Sequence, residues 1–285
     1  MVSEPTAERP DLPAQTIGQT TGRAWHDDVM LGGRAVDPAV GLAVMAKAPR
    51  VGTVKTRLCP PLRAVEAAEL ARCFLLDAVE RSAAVAGVRP IVAYAPVEAR
   101  PDFETLAPGF ALVAQRGDDL GERQGALIED ILALGHDAAL LIGTDSPTLP
   151  PETIDEAVSL VMAPNVDVVF GPTEDGGYYL VGVRAPCPAL FEAMPWSTSA
   201  VLSLTLDRAR RSGLRAVCLP TWYDVDTGAD LARLESDLRA LAGPRPCHTR
   251  AFLARRALAD PAFVSPTDHE RHAPDGGRAA ASRGR

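Results

Sequence analysis

The protein has 285 residues, of which 47% are hydrophobic and 23% are charged, and its formal net charge is −8. This length and apolar content allow one large folded domain or two small ones. The negative net charge would repel nucleic acids and anionic membranes, so neither is expected as a partner.

The apolar runs, the N-terminal sequence and the cysteine pattern indicate where in the cell the protein is expected to be found. No run of about 18 apolar residues occurs, so no membrane-spanning helix is predicted. The N-terminus is polar and lacks the apolar core of a secretory signal. The cysteines are odd in number and without metal-type spacing, which favours reduced thiols in a cytoplasmic protein. They are Cys59, Cys73, Cys187, Cys218 and Cys247.

The two ends of the chain differ in composition from the middle. Residues 1–38 and 264–285 are rich in proline, glycine and charged residues and show no hydrophobic periodicity. Such segments bury too little apolar surface to offset the entropy lost on ordering. We therefore expect two flexible tails around one domain of residues 39–263.

Within that domain, short apolar runs alternate with segments of helical periodicity. The runs are residues 41–46, 90–94, 110–114, 138–143, 166–170, 178–183 and 215–219. Near-continuous apolar runs of this length are typical of strands buried on both faces. The alternation predicts an α/β fold: a three-layer α/β/α sandwich with a mainly parallel, Rossmann-like sheet. Ligands of such sheets bind beyond the carboxyl ends of the strands.

A basic loop follows the first predicted strand. It carries Lys47, Arg50, Lys55 and Arg57 in an otherwise acidic protein. A basic loop between a strand and a helix can bind phosphate oxygens. The loop is neither a Walker loop nor a dinucleotide-binding loop, because its glycine spacing fits neither. The alternative is a solvated basic loop without a ligand.

A carboxylate, Asp145, ends the predicted strand of residues 138–143. An aspartate at this edge of the sheet can hold Mg²⁺ or Mn²⁺, which in turn bridges diphosphate oxygens. The alternative is an aspartate that caps the following turn.

Glu174 and Asp175 precede Gly176 and Gly177 in a second acidic segment. An Asp-Gly pair is a strong hairpin signal, and the glycines would also let a substrate approach the backbone. The next two residues, both tyrosines, alternate in direction, so we expect at most one of them to line a pocket.

Asp224 and Asp226 form a third acidic segment. They lie two residues apart, so an extended chain presents both on one side. Their mutual repulsion would be relieved by a divalent cation. The alternative is that Asp226 or Thr227 caps the following helix.

Taken together, these segments resemble a known family. The motifs AKAPRVGTVKTRL, QRGDDLGER, GTDSPTLP, FGPTEDGGYYLVGV, Trp196-Ser-Thr and WYDVDT occur in matching order over about residues 41–240. They resemble the radical-SAM/selenodomain-associated transferases, also called arsenosugar-biosynthesis glycosyltransferases, of the nucleotide-diphospho-sugar transferase (GT-A-like) superfamily. The first loop is less glycine-rich than in the superfamily's nucleotidyltransferases.

The resemblance implies a set of site residues. Asp145 would be the metal-binding and catalytic aspartate, and Asp226 the second metal ligand, for Mg²⁺ or Mn²⁺. Phosphate and nucleotide binding would fall to Lys47, Lys55, Arg57, Gly121 and Arg123. The acceptor would lie near Glu174, Gly176, Gly177 and Tyr178, with Asp175 as the candidate base.

Three functions are consistent with these residues. The first is a metal-dependent glycosyltransferase that binds a nucleoside-diphosphate sugar and a small-molecule acceptor. The second is a nucleotidyltransferase of guanylyl or cytidylyl type, which would release pyrophosphate rather than a nucleoside diphosphate. The third is a nucleotide-binding domain without catalytic activity.

Overall fold

The computed structural model describes residues 39–259. Both predicted tails, and the predicted end of the domain at residues 260–263, lie outside the described residues. The strands are β1 (Val40–Lys47), β2 (Val88–Ala95), β3 (Ala111–Ala114), β4 (Ala138–Ile142), β5 (Val168–Pro172), β6 (Tyr178–Val183) and β7 (Ala216–Cys218). The helices are α1 (Ala64–Ala83), α2 (Arg100–Leu106), α3 (Leu120–Ala133), α4 (Pro151–Met162), α5 (Val201–Arg211), α6 (Gly228–Ala240) and α7 (Cys247–Ala259).

The strands form one sheet in the order β3-β2-β1-β4-β6-β5-β7. β6 runs antiparallel to its neighbours β4 and β5, and the other pairings are parallel. β6 follows β5 after a tight turn at residues 173–177, which reverses the chain within the sheet. The predicted mainly parallel sheet is confirmed.

Helices flank both faces of this sheet, as adjacent residues of β1 show. Leu42 is buried in a cluster that also contains Leu75 of α1 and Ile154 of α4. Its neighbour Gly41 faces the opposite way, where an added Cβ would collide with Ile131 of α3. Because side chains alternate along a strand, α1 and α4 cover one face and α3 covers the other. The predicted three-layer α/β/α sandwich is therefore confirmed.

A second apolar cluster lies at one end of the molecule. It joins Leu58, just after the basic loop, to Phe74 of α1, Tyr223, and Leu234 of α6. The cluster therefore holds the basic loop against the segment of residues 222–226. In sequence these two segments are far apart, and the cluster brings the predicted cations and carboxylates to the same edge of the sheet.

In two helices the apolar pattern continues one residue beyond the end of the helix, where burial is lower. Leu127 and Ile131 of α3 are buried, whereas Leu134, just beyond the helix, is 38% exposed. Similarly, Leu241 follows the end of α6 and is 47% exposed. Across residues 39–259, the helices are too short or too polar to cross a membrane.

Candidate functional site

A cavity of about 530 Å³ opens beyond the carboxyl ends of β1 and β4. Its walls come from the loop between β1 and α1, the start of α3, β6 and the segment of residues 224–226. It brings together seven of the residues predicted from the sequence: Lys47, Lys55, Arg57, Arg123, Asp145, Tyr178 and Asp226. This is the edge at which α/β sheets bind their ligands.

Lys55 lies at the centre of the charged wall. Its Nζ atom is 2.7 Å from Asp145 Oδ1 and 2.8 Å from Asp226 Oδ1. It also donates a hydrogen bond of 2.9 Å to the carbonyl of Val225. The Lys55 side chain is only 8% exposed, so these three acceptors replace water around the ammonium. All three of its donors are therefore satisfied by the protein.

The backbone at Lys55 is unusual. Lys55 has a φ of 48°, in the left-handed region that non-glycine residues adopt at a cost of about 1–3 kcal/mol. A short 3₁₀ helix, Thr56–Leu58, follows at once, and the Leu58 side chain is fully buried. The three hydrogen bonds of the ammonium and the burial of Leu58 together hold this conformation.

The charge state of Lys55 follows from its surroundings. Burial alone would lower its pKa, but the carboxylates of Asp145 and Asp226 outweigh burial and raise the pKa above its ordinary value. The side chain therefore stays protonated at neutral pH. The ammonium lies between the two carboxylates, where the sequence predicted a divalent cation. Lys55 thereby offsets part of the repulsion between the carboxylates of Asp145 and Asp226.

A third carboxylate, Asp224, lies beneath the other two. It accepts a hydrogen bond of 2.5 Å from Ser146 Oγ. Burial, and then the negative charge of Asp145, raise the pKa of Asp224 to about 7. The three aspartates thus hold more negative charge than Lys55 neutralises, which favours an additional cation.

The structure distinguishes the two interpretations of Asp226. Thr227 caps α6: its side chain accepts a hydrogen bond from the backbone N–H of Asp230. The Asp230 carboxylate reciprocates by accepting the N–H of Thr227 at 2.7 Å. Capping is therefore done by these two residues, and the carboxylate of Asp226 binds Lys55 instead.

Asp145 likewise does not cap the next turn. Within residues 39–259, its carboxylate contacts Lys55 and accepts a hydrogen bond of 3.1 Å from Thr144 Oγ1. Its carbonyl accepts the N–H of Val225 at 2.8 Å. This bond ties the end of β4 to the segment that carries Asp224 and Asp226.

The donor set fits the predicted Mg²⁺ or Mn²⁺. The side chains of Asp145 and Asp226 are 42% and 37% exposed, so both carboxylates reach the cavity. Mg²⁺ is commonly held by one or two carboxylates, with water and phosphate oxygens completing its shell. A metal at the two oxygens that now bind Lys55 would have to compete with the ammonium for them.

The remaining cations are more available to a ligand than Lys55. Arg57 is 73% exposed, and its guanidinium lies 4.0 Å from Asp226 Oδ2. Lys47 is exposed and makes a long 3.4 Å hydrogen bond to the carbonyl of Thr53. Arg123 donates to the carbonyl of Gly117 at 2.9 Å. Lys47, Arg57 and Arg123 can thus add hydrogen bonds to phosphate oxygens with little rearrangement.

Glu174 and Asp175 lie in the turn between β5 and β6 and do not line the cavity. Asp175 Oδ1 accepts hydrogen bonds from Thr173 Oγ1 at 2.6 Å and from the N–H of Gly177 at 3.0 Å. Glu174 forms an ion pair with Arg233, with an oxygen–nitrogen distance of 2.6 Å. The hairpin therefore accounts for the carboxylate of Asp175, and the ion pair with Arg233 of α6 accounts for that of Glu174.

The predicted glycines serve close packing of the chain. An added Cβ at Gly121 would lie 2.6 Å from the carbonyl oxygen of Phe191. Gly176 has a φ of 90°, and a Cβ there would collide with the carbonyl of Ser199. Both glycines allow close packing of the segment after β6: Gly121 lets it pass close to α3, and Gly176 lets it pass close to the turn between β5 and β6. Neither glycine lines the cavity. A Cβ at Gly177 would lie 3.0 Å from Thr173 Oγ1.

Both Tyr178 and Tyr179 line the cavity, so the expectation that only one would do so is wrong. Their hydroxyls do diverge: Tyr178 donates to Gln124 Oε1 at 2.7 Å, and Tyr179 donates to the carbonyl of Pro220 at 3.0 Å. The cavity lies over the start of β6, where both residues border it although their side chains alternate.

Two glutamines are among the lining residues that were not predicted. Gln115 donates from its amide to the carbonyls of Ala46, at 3.2 Å, and Ala93, at 2.7 Å, at the ends of β1 and β2. Gln124 orients the Tyr178 hydroxyl. Both lie in residues 115–124, where no charge or spacing distinguished them as site residues.

Comparison with known proteins supports this class of fold. Residues 78–198 match the family described as an uncharacterized protein conserved in bacteria, DUF2064. A solved structure from Desulfovibrio desulfuricans G20, provisionally described as a nucleotide-diphospho-sugar transferase, is 32% identical. The alignment covers 78% of this chain and 96% of that chain, with a TM-score of 0.72. The chain therefore belongs to the DUF2064 family, and the Desulfovibrio protein is a relative of it.

More remote matches also occur among solved structures. A CMP:2-keto-3-deoxy-manno-octonic acid synthetase complexed with CTP is 15% identical over 70% of this chain and 98% of that chain, with a TM-score of 0.47. A cytidylyltransferase from Leptospira borgpetersenii is 12% identical over 79% and 96%, with a TM-score of 0.46. These two resemblances are too remote to bear on the function of this chain. No curated protein matches it.

Proposed function

We propose that this protein is a metal-dependent transferase that uses a nucleoside-diphosphate sugar and a small-molecule acceptor. One observation carries the proposal: the Lys55 ammonium is held between Asp145 and Asp226 at the ligand-binding edge of the sheet. The same cavity offers carboxylates for a metal and exposed cations for phosphate. The provisional description of the Desulfovibrio relative supports the same class.

The diphosphate would bind to the cations that line the cavity besides Lys55. Lys47 reaches it from the end of β1, Arg57 from the loop that follows, and Arg123 from the start of α3. Each could donate charge-assisted hydrogen bonds to phosphate oxygens. Lys55 would keep Asp145 and Asp226 in position and add positive charge beneath the diphosphate.

Asp145 and Asp226 would hold Mg²⁺ or Mn²⁺. When bound, such an ion stabilises the negative charge that develops on a departing diphosphate. Because the ammonium occupies the same carboxylate oxygens, metal binding would release some of the donors of Lys55. Those donors could then turn towards the phosphate oxygens. The nucleotide and the metal are therefore expected to bind cooperatively.

The acceptor side of the cavity is the part bordered by Tyr178. Its hydroxyl is fixed by Gln124, so it can present an oriented oxygen to an acceptor. Asp175 is a weaker candidate for the general base than the sequence suggested, because one of its oxygens closes its own turn. We retain Tyr178 as the residue that contacts the acceptor.

A nucleotidyltransferase is the second candidate, because Lys47, Arg57 and Arg123 place three positive charges at the cavity, enough for a triphosphate. The leaving group separates the two reactions: a nucleoside diphosphate for sugar transfer and pyrophosphate for nucleotidyl transfer. The finer resemblance, to radical-SAM/selenodomain-associated transferases, also remains a proposal. A binding domain without activity would give neither product.

The test begins with a thermal-shift screen of nucleoside triphosphates, diphosphates and nucleotide sugars, each with Mg²⁺, Mn²⁺ or a chelator. A ligand that binds the folded state raises the melting temperature in a concentration-dependent way. Nucleotide sugars that bind are then incubated with the protein, and the released nucleotide is identified. If no nucleotide raises the melting temperature under any metal condition, the proposal is wrong.

A further inference from the structure

A second group of potential metal ligands lies where α7 begins beside α1. Asp77, Glu80, Cys247 and His248 contribute ligand atoms that all lie within 4.8 Å of one another. We infer that this group, the α1–α7 cluster, binds a divalent transition metal of the Zn²⁺ class. None of its four residues lines the 530 Å³ cavity, so this site is separate from the carboxylates around Lys55.

The donor types identify the class of metal. A thiolate, an imidazole and carboxylates are the ligands of Zn²⁺ and Co²⁺. Mg²⁺, in contrast, prefers an all-oxygen shell. The protein thus offers two different donor sets: Asp145 and Asp226 suit a hard cation, and the α1–α7 cluster suits a softer one.

The side chains are already close to coordination geometry. Cys247 Sγ donates to Glu80 Oε2 at 3.2 Å, and His248 Nε2 lies 2.9 Å from Glu80 Oε1. In a tetrahedral zinc site the ligand atoms are about 3.3–3.8 Å apart, given bonds of about 2.0–2.3 Å. Because the four ligand atoms lie within 4.8 Å of one another, a movement of about 1 Å would admit the ion. Its binding would release the thiol proton of Cys247.

Asp77 fixes the cluster before any metal binds. It is 5% exposed and accepts the N–H of His248 on Oδ1 and the N–H and hydroxyl of Thr249 on Oδ2. These bonds give the backbone N–H groups in the first turn of α7 a hydrogen-bond acceptor on α1. They also hold Cys247 and His248 against α1. Since Oδ1 accepts only one hydrogen bond, it has a lone pair left for a metal.

Charge also favours a cation here. In the part of the chain that the structure describes, neither Asp77 nor Glu80 has a lysine or arginine nitrogen within 4.0 Å; Glu80 pairs only with His248. Arg81 interacts electrostatically with Asp77, and Arg245 with Glu80, but within residues 39–259 neither arginine forms an ion pair with them. A divalent ion would bind both carboxylates directly. It would also join α7 to α1 and so stabilise the folded state.

The test uses the full chain after chelator treatment. Titration with Co²⁺ should give a thiolate-to-cobalt charge-transfer band that saturates at one ion per chain, and Zn²⁺ should displace that ion. Cys247→Ser should abolish the band. Cys247→Ser and His248→Ala should each weaken Zn²⁺ binding by more than about tenfold. Glu80→Gln keeps the size of the side chain and leaves Cys247 and His248 in place. It should also weaken Zn²⁺ binding by more than about tenfold.

Two controls isolate the site. Cys218→Ser removes an exposed thiol outside the cluster, and Asp145→Asn alters the separate oxygen site. Both should keep the cobalt band and the zinc affinity of the wild type. Melting curves in metal-free buffer show whether each variant is folded. A wild-type protein without the band, or a band that survives Cys247→Ser, would overturn the inference; neither result bears on nucleotide binding at Asp145.

Discussion

The Lys55 ammonium lies 2.7 Å from a carboxylate oxygen of Asp145, and the Lys55 side chain is much less exposed than its partner, at 8% against 42%. The lysine therefore reaches the carboxylate from inside the protein, and the carboxylate faces the cavity. Lys55 therefore holds Asp145 in position, and it is also a candidate for binding the diphosphate. This arrangement separates Lys55 from the other cations of the loop, which are exposed.

Replacing Lys55 with methionine should lower the stability of the metal-free protein. The change removes three hydrogen bonds and leaves Asp145 and Asp226 without their shared cation. Breaking a fully buried pair costs about 3–5 kcal/mol, and the partial exposure of both aspartates reduces the expected loss to about 1–3 kcal/mol. Denaturant unfolding with and without Mg²⁺ measures this loss, and Mg²⁺ should restore part of it.

Lys47→Ala is the control for that experiment, because Lys47 is exposed and makes only a long bond to Thr53. Its free energy of unfolding should match the wild type. If Lys55→Met were equally neutral, the ammonium would not hold the two carboxylates together.

Replacing Arg57 with alanine should weaken nucleotide binding and leave stability unchanged. Arg57 is 73% exposed and lines the cavity, so its guanidinium is free to bind phosphate. Loss of one charge-assisted hydrogen bond should cost about 1.5–3 kcal/mol of binding free energy, measured by calorimetry. Arg100→Ala is the matched control, since Arg100 pairs with Glu104 away from the cavity. Equal affinities in the two variants would leave Arg57 as surface charge only.

The sequence predicted the elements of this site better than their contacts. The strand ending at Asp145 and the basic loop were found because apolar runs and charge clusters are local patterns. The ion pairs of Lys55 were not predicted, since they depend on the packing of Leu58 against the segment of residues 222–226. The α1–α7 cluster was missed for the same reason: Asp77 and Cys247 meet only after α7 docks on α1.

Two glycines of α3 should respond oppositely to alanine. At Gly121 an added Cβ would lie 2.6 Å from the carbonyl of Phe191, whereas at Gly125 it would meet nothing within 4 Å. Gly125→Ala should therefore raise the free energy of unfolding by about 0.5–1 kcal/mol, the ordinary helix-propensity gain. Gly121→Ala should lower it by about 1–3 kcal/mol because of overpacking. Thermal or denaturant unfolding distinguishes them, and a stabilised Gly121→Ala variant would refute the packing role.

We propose that residues 39–263 are sufficient for folding and nucleotide binding. The sequence outside them is polar and aperiodic, and the Desulfovibrio relative aligns with 78% of this chain while covering 96% of its own. A chain trimmed to these residues should keep the melting temperature and nucleotide affinity of the full chain. A large fall in melting temperature on trimming would show that the terminal segments contribute to the fold.

The last prediction concerns the metal. Asp145 lies three residues beyond the end of β4, its carbonyl accepts a hydrogen bond from the N–H of Val225, and its carboxylate lines the cavity. We expect activity to require Mg²⁺ or Mn²⁺, and Asp145→Asn to reduce it more than Asp226→Asn. Asp226 also lies near Arg57. The negative charge removed by Asp226→Asn is therefore one that Arg57 already partly balances. Initial rates of the two variants with saturating Mn²⁺ measure the difference.

The coupling between metal and nucleotide tests the same assignment without an activity assay. In the wild type, Mn²⁺ should tighten nucleotide binding by about tenfold or more, because each ligand supplies charge or oxygen atoms to the other. In Asp145→Asn, nucleotide affinity should be nearly the same with Mn²⁺ and with a chelator. Asp155→Asn, on the exposed side of α4, should behave as the wild type. Should Asp145→Asn retain the full effect of Mn²⁺, the metal must bind elsewhere, and the role of Asp145 would then be limited to its contact with Lys55.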